Sequence, residues 1–395
     1  MNHIEINDYN CCGCTACASI CPKEAIEMTP NALGFYYPRL DASKCVDCGL
    51  CKKVCQFNKD YERFINFDTP IVYGGRCKDE HQLKKSQSGG ASYAIIAKFF
   101  EEGEGFAYGA CLNGTHVEHI CVSNLTDAER FRGSKYVQSD IRGIFTQIKN
   151  QLVEGNRVLF FGTPCQVAGL RSYVGKTLHE NLIVVDLVCH SIPSPKVWQD
   201  YCSYIEKKYK EKPQTISFRD KSLGWHSSVE TFQFSNEKVK STTFANCFFY
   251  SHVAVRKSCS ECPYTNFNRV GDLTISDFWG WEKHHKEWND NLGVSLILVN
   301  SDKGKNMVAR LDNMILIQSD RNECLQEQLQ KPITLPSNID KFVQDYQKYP
   351  FRFILYKYGD IGVYYQLKKS FKILKRKARN LYGLLRYGVK RLLNN

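Results

Sequence analysis

Eight cysteines fall in two matching runs near the start of the chain. Cys11, Cys14, Cys17 and Cys21 are spaced C-x2-C-x2-C-x3-C and lead into Pro22, and Cys45, Cys48, Cys51 and Cys55 repeat the spacing. Thiolates are soft metal ligands, and this spacing is the one by which paired 4Fe-4S cubanes are held. Three cysteines of a run grip three irons from one tight loop, and the fourth reaches the other cluster. The expected sets are therefore crossed. Cys11, Cys14, Cys17 and Cys55 hold one cluster; Cys45, Cys48, Cys51 and Cys21 hold the second. Cys12 is left over, the x2 spacing favouring Cys11. Zinc sites need no eight thiolates in duplicated runs, and a disulfide framework needs an oxidising compartment. The runs predict an electron conduit and do not name the reaction it serves.

Residues 1–60 then read as an α+β ferredoxin-like dicluster module, closed by a strand at Phe35-Tyr36-Tyr37-Pro38. A polar linker spans about 58 to 70. The 395 residues, 43% hydrophobic, leave ample chain for a larger core. From Ile71 short apolar strands alternate with helical stretches. Ile71–Gly74, Phe106–Ala110, Val117–Val122, Arg157–Gly162 and Leu182–Val188 read as strands. Ala91–Glu102 reads as a helix with Tyr93, Ile96, Ala97 and Phe100 on one face, and Asp140–Glu154 as another with Ile141, Ile144, Phe145, Ile148 and Leu152 inward. Continuous apolar strands alternating with helices predict an α/β domain around a mostly parallel sheet. Glu230–Phe234 and Leu273–Ile275 read as antiparallel or edge additions, which makes the sheet mixed. Residues 70–150 are the first part of this domain and 151–350 the second.

Three loops could meet an anion through backbone amides: Ser88-Gly89-Gly90, the stretch Arg132–Ser139, and Gly162-Thr163-Pro164-Cys165-Gln166 at a strand end. None is a GxGxxG fingerprint, so a standard nicotinamide site is not expected. Cys165 and Cys189 end neighbouring strands, and Cys259-Ser260-Glu261-Cys262-Pro263 is a Cys-x2-Cys-Pro loop. Two readings fit: convergence on a third cluster, or small buried core residues. Cys77, Cys111, Cys121, Cys202, Cys247 and Cys324 carry no motif and read as packing.

Gly162–Gln166, Cys189-His190-Ser191-Ile192-Pro193-Ser194-Pro195, Phe218-Arg219-Asp220-Lys221 with Gly224-Trp225-His226, and Arg269–Gly280 together resemble the coenzyme F420 hydrogenase/dehydrogenase beta subunit family, over roughly residues 1 to 330. Ser191 stands where many members have Gly. The resemblance implies a flavin-binding domain that holds FAD and a third 4Fe-4S cluster. It implies Ser88, Gly89, Gly90, Ser134, Lys135, Tyr136, Gln138 and Thr163 as flavin contacts, and Cys165, Cys189, Cys259 and Cys262 as cluster ligands. His190 is the candidate proton donor, ahead of His226 and His252. The implied function is an iron-sulfur flavoprotein oxidoreductase. It would pass electrons between clusters and FAD and act on a small substrate or a deazaflavin-type reduced coenzyme. The alternative is an electron-transfer subunit serving a donor or acceptor protein, some relatives sitting in surface-polysaccharide gene sets. A scaffold without turnover is the third reading.

The formal net charge of +12 is uneven. Ten of the 53 Lys and Arg follow Asp360, the last acidic residue, leaving 43 against 41 acidic in the body. No nucleic-acid surface is expected from so balanced a body. Over 360–395, Leu367, Phe371, Leu374, Ala378, Leu381, Leu385, Val389 and Leu392 recur at steps of three or four. That predicts a basic amphipathic helix suited to an anionic membrane surface, or to a protein partner. The N-terminal residues show no signal-peptide pattern. The expected location is cytoplasmic, with the tail able to hold the protein at the inner face of a membrane.

Overall fold

Each cysteine run wraps a loop into a short helix. The computed structural model describes residues 3–58, 66–363, 365 and 367. In it the first run leads into α1 (Ala16–Ser19) and the second into α2 (Leu50–Val54). Between them β1 (Ile26–Pro30) and β2 (Tyr36–Leu40) pair antiparallel, Ile26 opposite Leu40. β2 stands where a closing strand is expected; β1 is an addition to that expectation.

The larger domain is built on an eight-stranded sheet. Its strands are β3 (Ile71–Cys77), β4 (Phe106–Asn113), β5 (His116–Val122), β6 (Val158–Gly162) and β7 (Leu182–Leu187). A small antiparallel sheet of β8 (Thr215–Ser217), β9 (Glu230–Gln233) and β10 (Lys238–Ser241) interrupts the series. β11 (Leu273–Asp277), β12 (Ser295–Val299) and β13 (Met314–Ser319) complete the large sheet, in the order β13-β3-β12-β11-β7-β6-β4-β5. β4, β6, β7 and β11 run parallel. The flanking pairs are antiparallel. The sheet is thus mixed, with a parallel centre, rather than mostly parallel. β11, expected as an antiparallel or edge strand, is interior: it pairs antiparallel with β12, and parallel with β7 on its other side. Residues 70–150 and 151–350 contribute strands to the same sheet.

The central strands are largely apolar because both faces are covered. Val158 and Phe160 of β6 face α3 (Ile144–Val153), α4 (Pro164–Val174) and the cysteine module, in one cluster with Phe145, Ile148, Val167, Leu170 and Val54. Leu159 and Phe161 face the other way, onto the helix Ala91–Glu101. That helix buries Ala91, Ala94, Ile95, Ile96 and Phe99. Its inner face is rotated from the expected one, with Tyr93, Ala97 and Phe100 only half-buried. Phe99 follows Ile95 and Ile96 by one turn, and the small Ala91 and Ala94 let the helix lie close to the sheet. The module sits hard against α4. A Cβ on Gly169 would meet Cys14 Sγ at 2.7 Å, so only glycine lets the cluster loop approach. No helix among the described residues is long and apolar enough to cross a membrane. The predicted tail helix lies almost wholly outside the described residues.

Candidate functional site

The two crossed thiol sets each line a common cavity. Cys11, Cys14, Cys17 and Cys55 surround one, with Cys12, Ile4, Ile6 and Met28. Cys21, Cys45, Cys48 and Cys51 surround the other, with Ile26 and Leu40. The fourth thiol of each run does enter the other run's cavity. Burial pushes the Cys17 thiol well up, and the thiolates of Cys14, Cys11 and Cys55 push the same way. Burial, then Cys14, raises Cys55 to about 12. Such thiols cannot ionise together without a cation among them, which is the condition a metal cluster satisfies. Backbone N–H groups are already aimed at sulfur: Ala25 N donates to Cys21 Sγ at 3.3 Å and Asp47 N to Cys45 Sγ at 3.4 Å. Among the described residues no three His, Cys, Asp or Glu could close on a single metal ion. A cubane differs, taking each thiolate at a separate iron corner.

Cys165, Cys189, Cys259 and Cys262 also come together. β6 and β7 are hydrogen-bonded neighbours, so the thiols just beyond them share one sheet edge. The Cys259 loop is tied there by the Pro193–Val255 bridge and by Arg256 N donating to Ile192 O at 2.9 Å. Burial pushes Cys189 well up, with Cys259, Cys165 and Cys262 adding to it. Cys12, the spare thiol, contacts both Cys14 and Cys165, and those contacts push it well up. It therefore stands between the first set and this third group. Gln56 spans the same gap: Nε2 donates to Cys12 Sγ at 3.3 Å and to Cys165 O at 2.5 Å.

A cleft of about 590 Å³ opens at the carboxyl ends of β6, β7 and β11. Ser88, Gly90, Ser134, Lys135, Tyr136, Thr163, Cys189 and His190 line it. Gly89 and Gln138 do not. A Cβ on Gly89 would lie 2.0 Å from Gly75 O, so that glycine serves a backbone crossing over β3. Gln138 points to the clusters, its Nε2 donating to Cys12 O at 3.1 Å. Three residues of the cleft wall, Gln87, His119 and Ser191, carry buried polar atoms without a partner: Nε2, Nδ1 and Oγ. His119 Nε2 lies 2.9 Å from Phe161 O, which can only accept, so Nδ1 is left as a bare acceptor. Such orphans suit a polar ligand.

His190 is not a charged acid. Burial, then the neighbouring His252, lowers it to about 4. Its Nε2 is 2.8 Å from His252 Nε2, and His252 Nδ1 is 3.1 Å from Thr334 O. The carbonyl fixes the proton on His252 Nδ1, so His190 Nε2 donates, and His190 Nδ1 accepts from Gln328 Nε2 at 2.7 Å. His226 sits against Trp225 and Trp279, whose rings stack at 5.0 Å. Arg219 pairs with Asp277 at 2.6 Å, and Asp277 also accepts from Trp225 Nε1 at 2.6 Å. Arg219, Asp277, Gln56 and Arg256 are site residues that spacing alone did not single out. Arg219 and Asp277 lie inside the quoted motifs, beside Phe218 and Phe278, and Gln56 follows Cys55, whereas Arg256 has no such neighbour.

Lys135 turns its ammonium onto the carbonyls of Phe131 and Arg132, at 2.7 and 2.8 Å. Burial lowers it to about 8 from the usual 10.5. The unfolded chain then holds that proton more tightly than the folded one. Stability from this residue is lacking below pH 8 and rises between about 8 and 10.5. The urea midpoint of the unsubstituted protein should therefore gain on that of Lys135→Met as pH is raised from about 7 to about 10. A gap that stays constant or narrows would contradict this.

Residues 155–323 match the model for the C terminus of the coenzyme F420 hydrogenase/dehydrogenase beta subunit, and residues 10–59 match the 4Fe-4S dicluster domain. The chain carries that beta-subunit domain behind a dicluster domain. Over those residues the chain is similar to a hydrogenase/dehydrogenase beta subunit and to a 4Fe-4S dicluster domain. A curated relative, an uncharacterized polyferredoxin-like protein of Methanocaldococcus jannaschii, is 38% identical over 53 residues, 11% of this chain and 32% of the relative. The match thus spans about a third of that relative's length. A chain of the F420-reducing NiFe hydrogenase complex from Methanosarcina barkeri superposes at a TM-score of 0.44 with 15% identity, covering 72% of this chain and 89% of that one.

Proposed function

We propose that this beta-subunit relative is a flavoprotein oxidoreductase with three 4Fe-4S clusters and FAD in the cleft. The observation that carries it is Cys189, which lines the cleft and also belongs to the third thiol group. A bound flavin would exchange two electrons with a substrate and one at a time with clusters. The chain's own part is positional. Ser88, Gly90, Ser134, Tyr136 and Thr163 wall the cleft, and the unpartnered atoms of Gln87, His119 and Ser191 offer it hydrogen bonds. His190 is neutral, its Nε2 held by His252 and its Nδ1 by Gln328, so it orients rather than delivers a full charge. The substrate class is a small molecule or deazaflavin-type coenzyme reaching the cleft past Trp279 and Tyr250, both partly exposed. Protein purified without oxygen should release FAD at about one per chain, read by fluorescence of the denatured supernatant, as expected for one sheet-edge site. Fully metallated protein without flavin would leave the second reading, an electron conduit for a partner protein. Exposed Cys48, flanked by exposed Val46 and Leu50 at the second thiol set, favours a partner docking there.

The basic tail is proposed to hold the protein at an anionic membrane surface. Flotation with anionic but not neutral liposomes, lost at high salt, is the expected result. Equal flotation of a version ending at Gly362 would dismiss it.

A further inference from the structure

Arg256 is almost wholly buried, 1% exposed, and no carboxylate pairs with it among the described residues. A buried guanidinium is always charged and costly to leave without a negative partner. Its fork is committed instead to the first thiol set. Nε donates to Cys11 O at 2.6 Å, and Nη2 to Cys11 Sγ at 3.4 Å and Tyr36 O at 2.9 Å. Nη1 donates to Gln138 Oε1 at 3.1 Å. Tyr37 covers the plane at 4.1 Å. The Arg256 carbonyl accepts from Cys259 N at 3.1 Å, so its backbone belongs to the third thiol group. By contrast, the sulfur contacts of Cys21 and Cys45 in the second set come from backbone N–H groups, and Cys48 there is exposed to water that screens charge.

We propose that Arg256 is a positioning residue that selectively raises the reduction potential of the cluster held by Cys11, Cys14, Cys17 and Cys55. The inference rests on that ligand assignment. Reduction adds one electron to the cluster, and no bond forms or breaks at Arg256. The added negative charge sits beside a fixed cation in a poorly screened interior, which favours the reduced form. The first thiol set, which Cys12 joins to Cys165 of the third group, would thereby hold a cluster more easily reduced than it would be without Arg256. An arginine just ahead of Cys259 thus biases transfer in a module at the chain's start, through a hydrogen bond to sulfur and a fixed charge.

The test is a potentiometric titration with dithionite, followed by electron paramagnetic resonance, on the whole anaerobic protein and on Arg256→Gln and Arg256→Lys. Arg256→Gln should move the first cluster's reduction equilibrium about tenfold or more toward the oxidised form, about 59 mV for a one-electron couple. The second cluster should be unmoved. Arg256→Lys keeps the charge but not the fork, and should move the first cluster in the same direction by less. Unchanged potentials in Arg256→Gln, or equal movement of both clusters, overturns the proposal. If Arg256→Gln loses the first cluster, Arg256→Lys decides, and a parental potential there overturns it. Loss of only that cluster from both variants makes Arg256 a structural clamp and also overturns it. Iron analysis separates these outcomes from failure of the ligand assignment. If Cys11→Ser leaves the iron content of otherwise unsubstituted protein unchanged, the assignment is wrong and the proposal falls with it.

Discussion

Replacing Cys259 by alanine is expected to remove about four of about twelve irons per chain, because each cubane takes four thiolates and four irons. The remaining eight should stay. The Cys11 and Cys21 cavities are walled by other thiols, and Cys259 lines neither. Cys259 is half-buried and raised to about 12, first by desolvation and next by Cys262, so without iron it remains a protonated thiol. Its loss removes one of four corners of the third set and leaves Cys165, Cys189 and Cys262 as an incomplete ring. Colorimetric iron and sulfide analysis of anaerobic protein, with spectra of the reduced state, reads the effect. Unchanged iron would mean that these four cysteines are packing residues after all. Because Cys189 also lines the cleft, the same variant should slow bleaching of the N-terminal clusters by any donor that enters there.

The thiol sets were legible because spacing alone dictates them: a tight loop leaves three sulfurs on one side and throws the fourth across. Three-dimensional convergence of Cys165, Cys189, Cys259 and Cys262 was legible only as one of two options, since nothing local ties residue 189 to residue 259. The bridge from Pro193 to Val255 supplies that tie. The loop Ser88-Gly89-Gly90 shows a limit of reading glycines in pairs. Gly90 faces the cleft, while Gly89 is required by the approach of Gly75 O and Ser295 N. Gln138 shows another. It lies two residues from Tyr136, which lines the cleft, yet its amide serves Cys12 and Arg256 on the cluster side. β11, read as an antiparallel or edge strand, is interior, with Asp272 and Asp277 at the two ends of its short apolar run. In the fold both carboxylates are buried or nearly so and satisfied, Asp272 by Arg171 at 2.8 Å and by Val184 N at 2.9 Å. Asp272 is neutralised by an arginine about a hundred residues away, a pairing that no local pattern shows.

The same logic predicts the largest loss of stability. Asp186 lies in the middle of the parallel strands with no exposure. Its Oδ1 accepts from Arg269 Nη2 at 2.7 Å and Nε at 3.2 Å, and its Oδ2 from Gly271 N at 2.8 Å. Asp186→Ala would leave Arg269 buried and uncompensated, which costs about 3–5 kcal/mol. Arg269 also donates to Leu187 O at 2.7 Å and Tyr264 O at 2.6 Å. Those bonds fasten the chain just before Cys189 to the chain just after Cys262. The variant should therefore melt earlier and also lose iron from the third set faster than from the other two under a chelator. Adding Arg269→Met to Asp186→Leu should restore part of the stability, because an apolar pair replaces the ions. It should not restore iron retention, since the two carbonyls are no longer held. Anaerobic urea unfolding and timed chelation measure the two effects separately. A loss below about 1 kcal/mol in Asp186→Ala, the range of an exposed pair, would show that water reaches this carboxylate. Equal iron loss from all three sets would show that the pair supports the fold without fastening the third thiol group.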